Sequence, residues 1–118
     1  MKRDADLSRD LLFSFEENDE WLQMTVGDTH GSSKEDRRKM YHINLMGDEG
    51  FLIRVGEGTF RMTSHGHDYL DAIRDEGIWN RTKEAVVATG GAATYEILKS
   101  LAQAFVKTKL EKHTGLKL

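Results

Sequence analysis

The chain has 118 residues, of which 38% are hydrophobic and 31% charged, a balance typical of one folded domain rather than of a disordered segment. Its net charge of −3 argues against a uniformly basic nucleic-acid binder, and the absence of cysteine excludes disulfide scaffolds, cysteine-ligated zinc and cysteine nucleophiles. No apolar run approaches the roughly 20 residues that span a bilayer, and the first residues lack a signal-peptide core, so we expect a cytoplasmic protein with no membrane contact.

The first two predicted elements are a helix and a short strand. Apolar residues recur at helical spacing between residues 4 and 18, and Asp4 is placed to cap that helix. Residues 20–26 have the composition of a strand, and residues 27–33 form a polar loop rich in glycine and serine.

A second helix and a β-hairpin follow. Ser33 is suited to cap a helix over residues 34–48, because an acidic residue, Asp36, comes three positions later. Residues 51–55 and 59–63 are β-prone runs joined by a turn over residues 56–58 that contains two glycines, which predicts a hairpin.

Helical patterns dominate the rest of the chain. Thr63 or Ser64 starts a helix that reaches about Asp75, and further helices are predicted over residues 79–88 and 94–111. Between the last two, the Gly-Gly pair at residues 90–91 is the clearest helix breaker in the chain.

This order of elements predicts an α+β fold with a winged-helix-like core. Helix, short strand, helix and hairpin fill residues 1–63, a helical extension fills residues 64–118, and we treat residues 1–118 as a single domain. Residues 34–48 then occupy the position of a recognition helix. A small α+β domain with no role on DNA has the same order, so topology leaves both interpretations open.

Residues 62–75 (MTSHGHDYLDAIRD), followed by WNRTK at 79–83, carry a resemblance to a known family. With the opening MKRD and Leu7, the GFLI at 50–53 and the Gly-Gly pair, the chain resembles an uncharacterised bacterial and prophage family of unknown function that is similar to YjcQ-type winged-helix proteins. The resemblance implies a winged-helix fold with a helical C-terminal extension and a bacterial or prophage origin. It implies no catalytic or binding residues.

The candidate nucleic-acid-binding residues lie on the second helix and the hairpin. Cations at the start of a recognition helix contact bases and phosphates, an asparagine one or two turns later can read adenine, and arginines of the wing contact the backbone. The candidates are Lys34, Arg37, Arg38, Lys39, Asn44, Arg54 and Arg61. Glu35 and Asp36 interrupt the cations, so the same helix face also fits an ordinary solvated surface.

The charge distribution leaves room for a protein partner. Residues 1–50 hold 7 basic and 12 acidic side chains, whereas residues 51–118 hold 10 basic and 8 acidic ones. An acidic first half repels a duplex unless its cations cluster. The first hypothesis is therefore a DNA-binding regulatory protein, and the alternative is a protein-interaction module, such as a phage factor that binds and inhibits a host complex.

Sequence patterns of catalysis and metal binding are weak. His65 and His67 are two residues apart on a helix, which points their rings away from each other, and we expect His67 to pack or form a hydrogen bond within this segment while His65 is solvated. The glycine pair lacks the lysine of a phosphate-binding loop, and no serine lies in a nucleophile elbow. We predict no enzymatic activity, no metal and no cofactor.

The last helix carries a broad apolar stripe with two alternative roles. It either covers the domain or pairs with a second copy in a homodimer. Its residues are Leu98, Leu101, Ala102, Phe105 and Val106. The remaining large aromatic residues are predicted to be core or half-buried anchors: Trp21, Tyr41, Tyr69, Trp79 and Tyr95.

Overall fold

The structure, a computed structural model, describes residues 1–24 and 33–118. It is a mixed α+β fold in which the predicted order of elements is confirmed. The elements are α1 (Ala5–Glu17), β1 (Gln23–Met24), α2 (Lys34–Asp48), β2 (Leu52–Gly56), β3 (Thr59–Met62), α3 (Ser64–Ile73), α4 (Glu76–Thr89) and α5 (Tyr95–Thr114). The predicted loop at 27–32 and the end of the predicted first strand, residues 25–26, lie outside the described residues.

The three strands form one antiparallel sheet in the order β1-β3-β2. β2 and β3 make the predicted hairpin, with Gly58 in its turn at a φ of 67°. Leu52 pairs with Met62 and Arg54 with Phe60 across the strands, whereas the intervening Ile53 pairs with Arg61. Because paired residues share a face and successive residues alternate, Arg54 and Arg61 project from opposite faces of the hairpin.

The chain divides into two compact units, Met1–Leu70 and Asp71–Leu118. In the first unit α1 packs on α2 and β3, and α2 packs on β2. Its core is built from large apolar side chains on all of these elements, including Leu12, Met46, Leu52, Phe60 and Leu70. The prediction that residues 1–118 form a single domain stays a prediction.

In the second unit α4 packs against α5. Trp79 of α4 is buried as predicted, and Val86 is buried as well, whereas Val87 is 80% exposed. α4 also begins three residues earlier than predicted, at Glu76, because the carboxylate of Asp75 accepts a hydrogen bond from the Ile78 amide at 2.9 Å and caps the helix there.

Candidate nucleic-acid interface

One side of α2 is a continuous exposed stripe. Its residues follow one another at intervals of three and four, the spacing that places side chains on a single face of a helix. The opposite face is buried through Met40, His42, Ile43 and Met46. The stripe, called the α2 stripe below, consists of Lys34, Arg37, Tyr41, Asn44 and Asp48.

The C-terminal end of the α2 stripe borders a groove shared with the hairpin. Asn44 and Asp48 of α2 line this groove together with Arg54 of β2 and Phe60 of β3. The Arg54 guanidinium carbon lies 5.7 Å from the centre of the Phe60 ring, within cation–π range. The structure therefore brings together two of the predicted contacts, Asn44 and Arg54, and places an acidic residue, Asp48, beside them.

Arg38 and Lys39 lie to the side of the α2 stripe and have acidic partners within the chain. The Arg38 guanidinium forms an ion pair with the carboxylate of Asp4, and the Lys39 ammonium lies 3.5 Å from Glu35 one turn earlier. A phosphate would have to compete with these carboxylates. Of the seven predicted contacts, Lys34, Arg37 and Asn44 lie on the α2 stripe, and Arg54 lines the groove at its C-terminal end.

Arg61 belongs to a different surface. It lines a second groove, formed by the end of α1, the segment after it and β3, and its guanidinium lies 3.5 Å from the carbonyl oxygen of Met62. Trp21 stands in the wall of this groove and is 72% exposed, so its assignment to a core or half-buried position was wrong. We call this surface the Trp21 groove. Its residues are Phe15, Glu16, Asn18, Asp19, Glu20, Trp21, Arg61, Met62 and His67.

A buried histidine joins the start of α1 to α2. The ring of His42 is fully buried; its Nε2 accepts a hydrogen bond from the Asp4 amide at 2.9 Å, and its Nδ1 lies 2.8 Å from the Arg38 carbonyl oxygen. Since an amide N–H only donates and a carbonyl only accepts, the ring carries its proton on Nδ1. The sequence does not reveal this contact, because its two ends are 38 positions apart.

Asp4 combines a cap with an ion pair. Its carboxylate accepts a hydrogen bond from the Leu7 amide at 3.1 Å and pairs with Arg38. Both interactions favour the ionised form, so they hold the pKa of the Asp4 carboxyl below its ordinary value, with the amide hydrogen bond as the largest cause.

His65 and His67 are arranged differently from the prediction. Both are exposed, and it is the His65 ring that packs, 5.5 Å between centroids from Phe51, while His67 lines the Trp21 groove. Within residues 1–24 and 33–118, no three histidine or acidic side chains gather in a metal-binding group.

The predicted interface residues of α5 differ in exposure. Leu98 and Ala102 are buried in the chain itself and have no surface to offer a second copy. Leu101, Phe105 and Val106 are half-buried. The homodimer stays a prediction, and these three residues alone would carry it. In the part of the chain that the structure describes, no helix has the length and apolar character needed to cross a membrane.

Comparison with known proteins gives two matches. Residues 2–92 match the family described as "Hypothetical protein (DUF2513)". A protein of Haemophilus influenzae described as "Uncharacterized protein" is 24% identical over an alignment of 118 positions. The alignment covers 93% of this chain and 99% of that protein. No solved structure matches the chain.

Proposed function

The chain belongs to the DUF2513 family, and from that premise we propose that it is a winged-helix DNA-binding protein with a regulatory role, of bacterial or prophage origin. One observation carries the proposal: the α2 stripe presents Lys34, Arg37 and Asn44 on one exposed face and ends beside Arg54 of the hairpin. A recognition helix flanked by a wing meets a duplex in this way.

Each of these residues has a distinct role on the duplex. Lys34 and Arg37, in the first turn of α2, lie where phosphate and guanine contacts are made, and Asn44 is placed two turns deeper to read adenine. Arg54 contributes a backbone contact from the hairpin. Tyr41, between the cations and Asn44, adds an exposed aromatic side chain with a hydroxyl group, so its assignment to a core or half-buried position was wrong.

Fluorescence anisotropy with a labelled random duplex at about 50 mM salt tests this function. We expect measurable binding, and a loss of at least about tenfold in affinity, or ~1.4 kcal/mol, in the double variant Arg37→Glu, Arg54→Glu. Arg61→Glu is the matched control for Arg54→Glu alone, because the two variants make the same charge change on opposite faces of the same hairpin. No binding by the unaltered chain, or an equal loss in the Arg61 variant, would contradict the proposal.

A second candidate function rests on the Trp21 groove. Glu16, Asp19 and Glu20 line the same groove as the exposed indole, with Arg61 and His67 as the basic groups there. A carboxylate-rich wall and an aromatic face together suit a lysine- or arginine-containing segment of a protein partner, since cations bind both. We propose this as the alternative, a protein-interaction module.

Tryptophan fluorescence reports directly on this candidate. Trp21 is 72% exposed and Trp79 only 1%, so a basic peptide that seats in the groove changes the emission of Trp21. A lysine- and arginine-rich decapeptide should give a saturable change that Glu20→Lys abolishes and Glu57→Lys, at the hairpin turn, preserves. An emission that does not respond to the peptide rejects the alternative and leaves DNA binding untouched.

A further inference from the structure

A small cavity in the second unit, between α4 and α5, is surrounded by cationic side chains. Arg81 reaches it from α4, and Lys109 and Lys112 reach it from consecutive positions on one face of α5. Ile78, Phe105 and Thr108 complete its wall. None of these residues belongs to the two surfaces described above.

Arg81 is held in a defined position. Its guanidinium carbon lies 4.3 Å from the centre of the Phe105 ring, within cation–π range. A guanidinium has five N–H donors, so this contact leaves donor groups available to a ligand. Those groups form the fork that binds oxyanions in a bidentate manner.

The two lysines add positive charge to the cavity, and the carboxylate of Asp75 offsets part of it. The Lys109 ammonium lies 3.4 Å from Asp75, whose other oxygen caps α4 through the Ile78 amide. Lys112 extends from the next turn of α5. Three cations against one carboxylate leave an excess of positive charge around the cavity. The Thr108 hydroxyl donates to Ala104 in its own helix at 3.1 Å and so offers no proton to a ligand.

The size of the cavity restricts the ligand. Its volume is about 120 Å³, whereas sites for drug-sized ligands span roughly 300–1,000 Å³. At about 30 Å³ for each water molecule, it holds on the order of four waters, the space of one tetrahedral oxyanion.

The geometry points to a phosphate-binding site formed by Arg81, Lys109 and Lys112. The ligand is the dianionic phosphate group, either as inorganic phosphate or at the end of a phosphomonoester whose organic part remains in solvent. Three cations and the carboxylate of Asp75 leave a net charge of +2 around the cavity. A phosphate dianion is favoured because it neutralises that charge. This site is independent of the proposed binding of DNA by α2 and of peptides by the Trp21 groove.

Titration of the full chain by amide NMR, at constant ionic strength maintained with chloride, tests the site. Inorganic phosphate should shift the amides of residues 78–81 and 105–112 in a saturable manner, and glycerol phosphate shows whether a monoester binds as well. Arg81→Gln or Lys112→Gln should weaken binding at least about fivefold, as expected for a charge-assisted hydrogen bond. Each variant is first shown to unfold at the urea concentration of the unaltered chain.

Two controls make the result decisive. Lys107→Gln removes one charge from the same helix outside the cavity and should leave the affinity within about twofold, in keeping with the small effect of an exposed charge. Dimethyl phosphate, a monoanionic diester, should bind much more weakly than phosphate. Shifts that rise linearly without saturation, an equal loss in the Lys107 variant, or equal binding of the diester would overturn the proposal.

Discussion

Gly66 lies in the first turn of α3, where that helix comes closest to the segment before β2. A Cβ atom there would collide with the carbonyl oxygen of Phe51 and would lie 2.9 Å from Cγ of Met62. Thr63 anchors the same junction, because its hydroxyl donates to the Gly50 carbonyl and accepts from the Gly66 amide at 3.0 Å. The Thr-x-x-Gly motif thus has a structural reason that involves no ligand.

Replacing Gly66 by alanine should destabilise the protein by about 1–3 kcal/mol, because backbone atoms must shift to admit the methyl group. Urea unfolding measures the change. Gly47→Ala in α2 is the matched control: its nearest neighbour would be the Leu52 carbonyl at 3.9 Å, and the higher helix propensity of alanine should make the variant as stable as the original or up to about 1 kcal/mol more stable. Equal destabilisation in both variants would contradict the packing argument.

His42→Leu should cost about 1–3 kcal/mol, because it leaves the Asp4 amide without its acceptor in a part-buried position. His113→Leu, at an exposed site near the end of α5, should change the free energy of unfolding by less than about 0.5 kcal/mol. Urea denaturation of both variants at neutral pH makes the comparison. A His42 variant as stable as the His113 variant would show that the hydrogen bond between Asp4 and His42 contributes nothing to the stability of the fold.

At the scale of the element, helix starts are the feature that the sequence predicts best. Asp4 and Ser33 each accept a hydrogen bond from the amide three residues later, as the local patterns indicated, and Thr94, near the predicted start of the last helix, caps it in the same way. Asp75 does the same but was missed, because Glu76 and Gly77 resemble an interruption when α4 is located by its apolar residues. Capping depends on four adjacent residues, so it can be predicted from the local sequence.

The candidate interface is only partly predictable from sequence. Helical spacing identifies Lys34, Arg37 and Asn44 as one face, and the same spacing would have added Tyr41. The separation of Arg54 from Arg61 depends on the strand register, which is set by the turn and by a bulge between Arg54 and Gly56. The exposure of Trp21 depends on tertiary packing at the end of α1, which no local pattern encodes.

The cap of α1 should make stability depend on pH in a specific way. Because folding lowers the pKa of Asp4, its carboxylate contributes stability that is complete above the ordinary value of 3.8 and is lost as pH falls through the lower folded-state value. Asp4→Asn retains a capping oxygen but removes the charge. The Asp4 side chain is 34% exposed, so we expect a difference below about 1 kcal/mol at pH 7.

Urea titrations of the unaltered chain and the Asp4→Asn variant between pH 7 and pH 3 provide the measurement. The gap between the two free energies of unfolding should narrow toward the acid end, since a protonated Asp4 no longer pairs with Arg38. A gap of constant size across this range would show that the ion pair adds nothing to the cap.

For the whole molecule, a net charge of −3 means that any attraction to DNA is local. If Lys34, Arg37 and Arg54 each neutralise one phosphate, the logarithm of the affinity should fall against the logarithm of salt concentration with a slope of about −3. Removing two of these contacts in Arg37→Glu, Arg54→Glu should reduce the slope to about −1. A slope of about −6 or steeper would mean that other cations contact the duplex.

The bulge between Arg54 and Gly56 sets the phase of the hairpin, and thereby places its two arginines on separate faces. With a pleat that repeats every two residues, a one-residue slip of one strand against the other would bring Arg54 and Arg61 to the same face of the hairpin. A change in the length of this hairpin therefore alters the faces on which its arginines lie, even when the change falls at its exposed tip. An inserted or deleted residue would place both arginines on one face while leaving the composition of the strands almost unchanged, so among relatives the spacing of these two arginines carries more information than their presence.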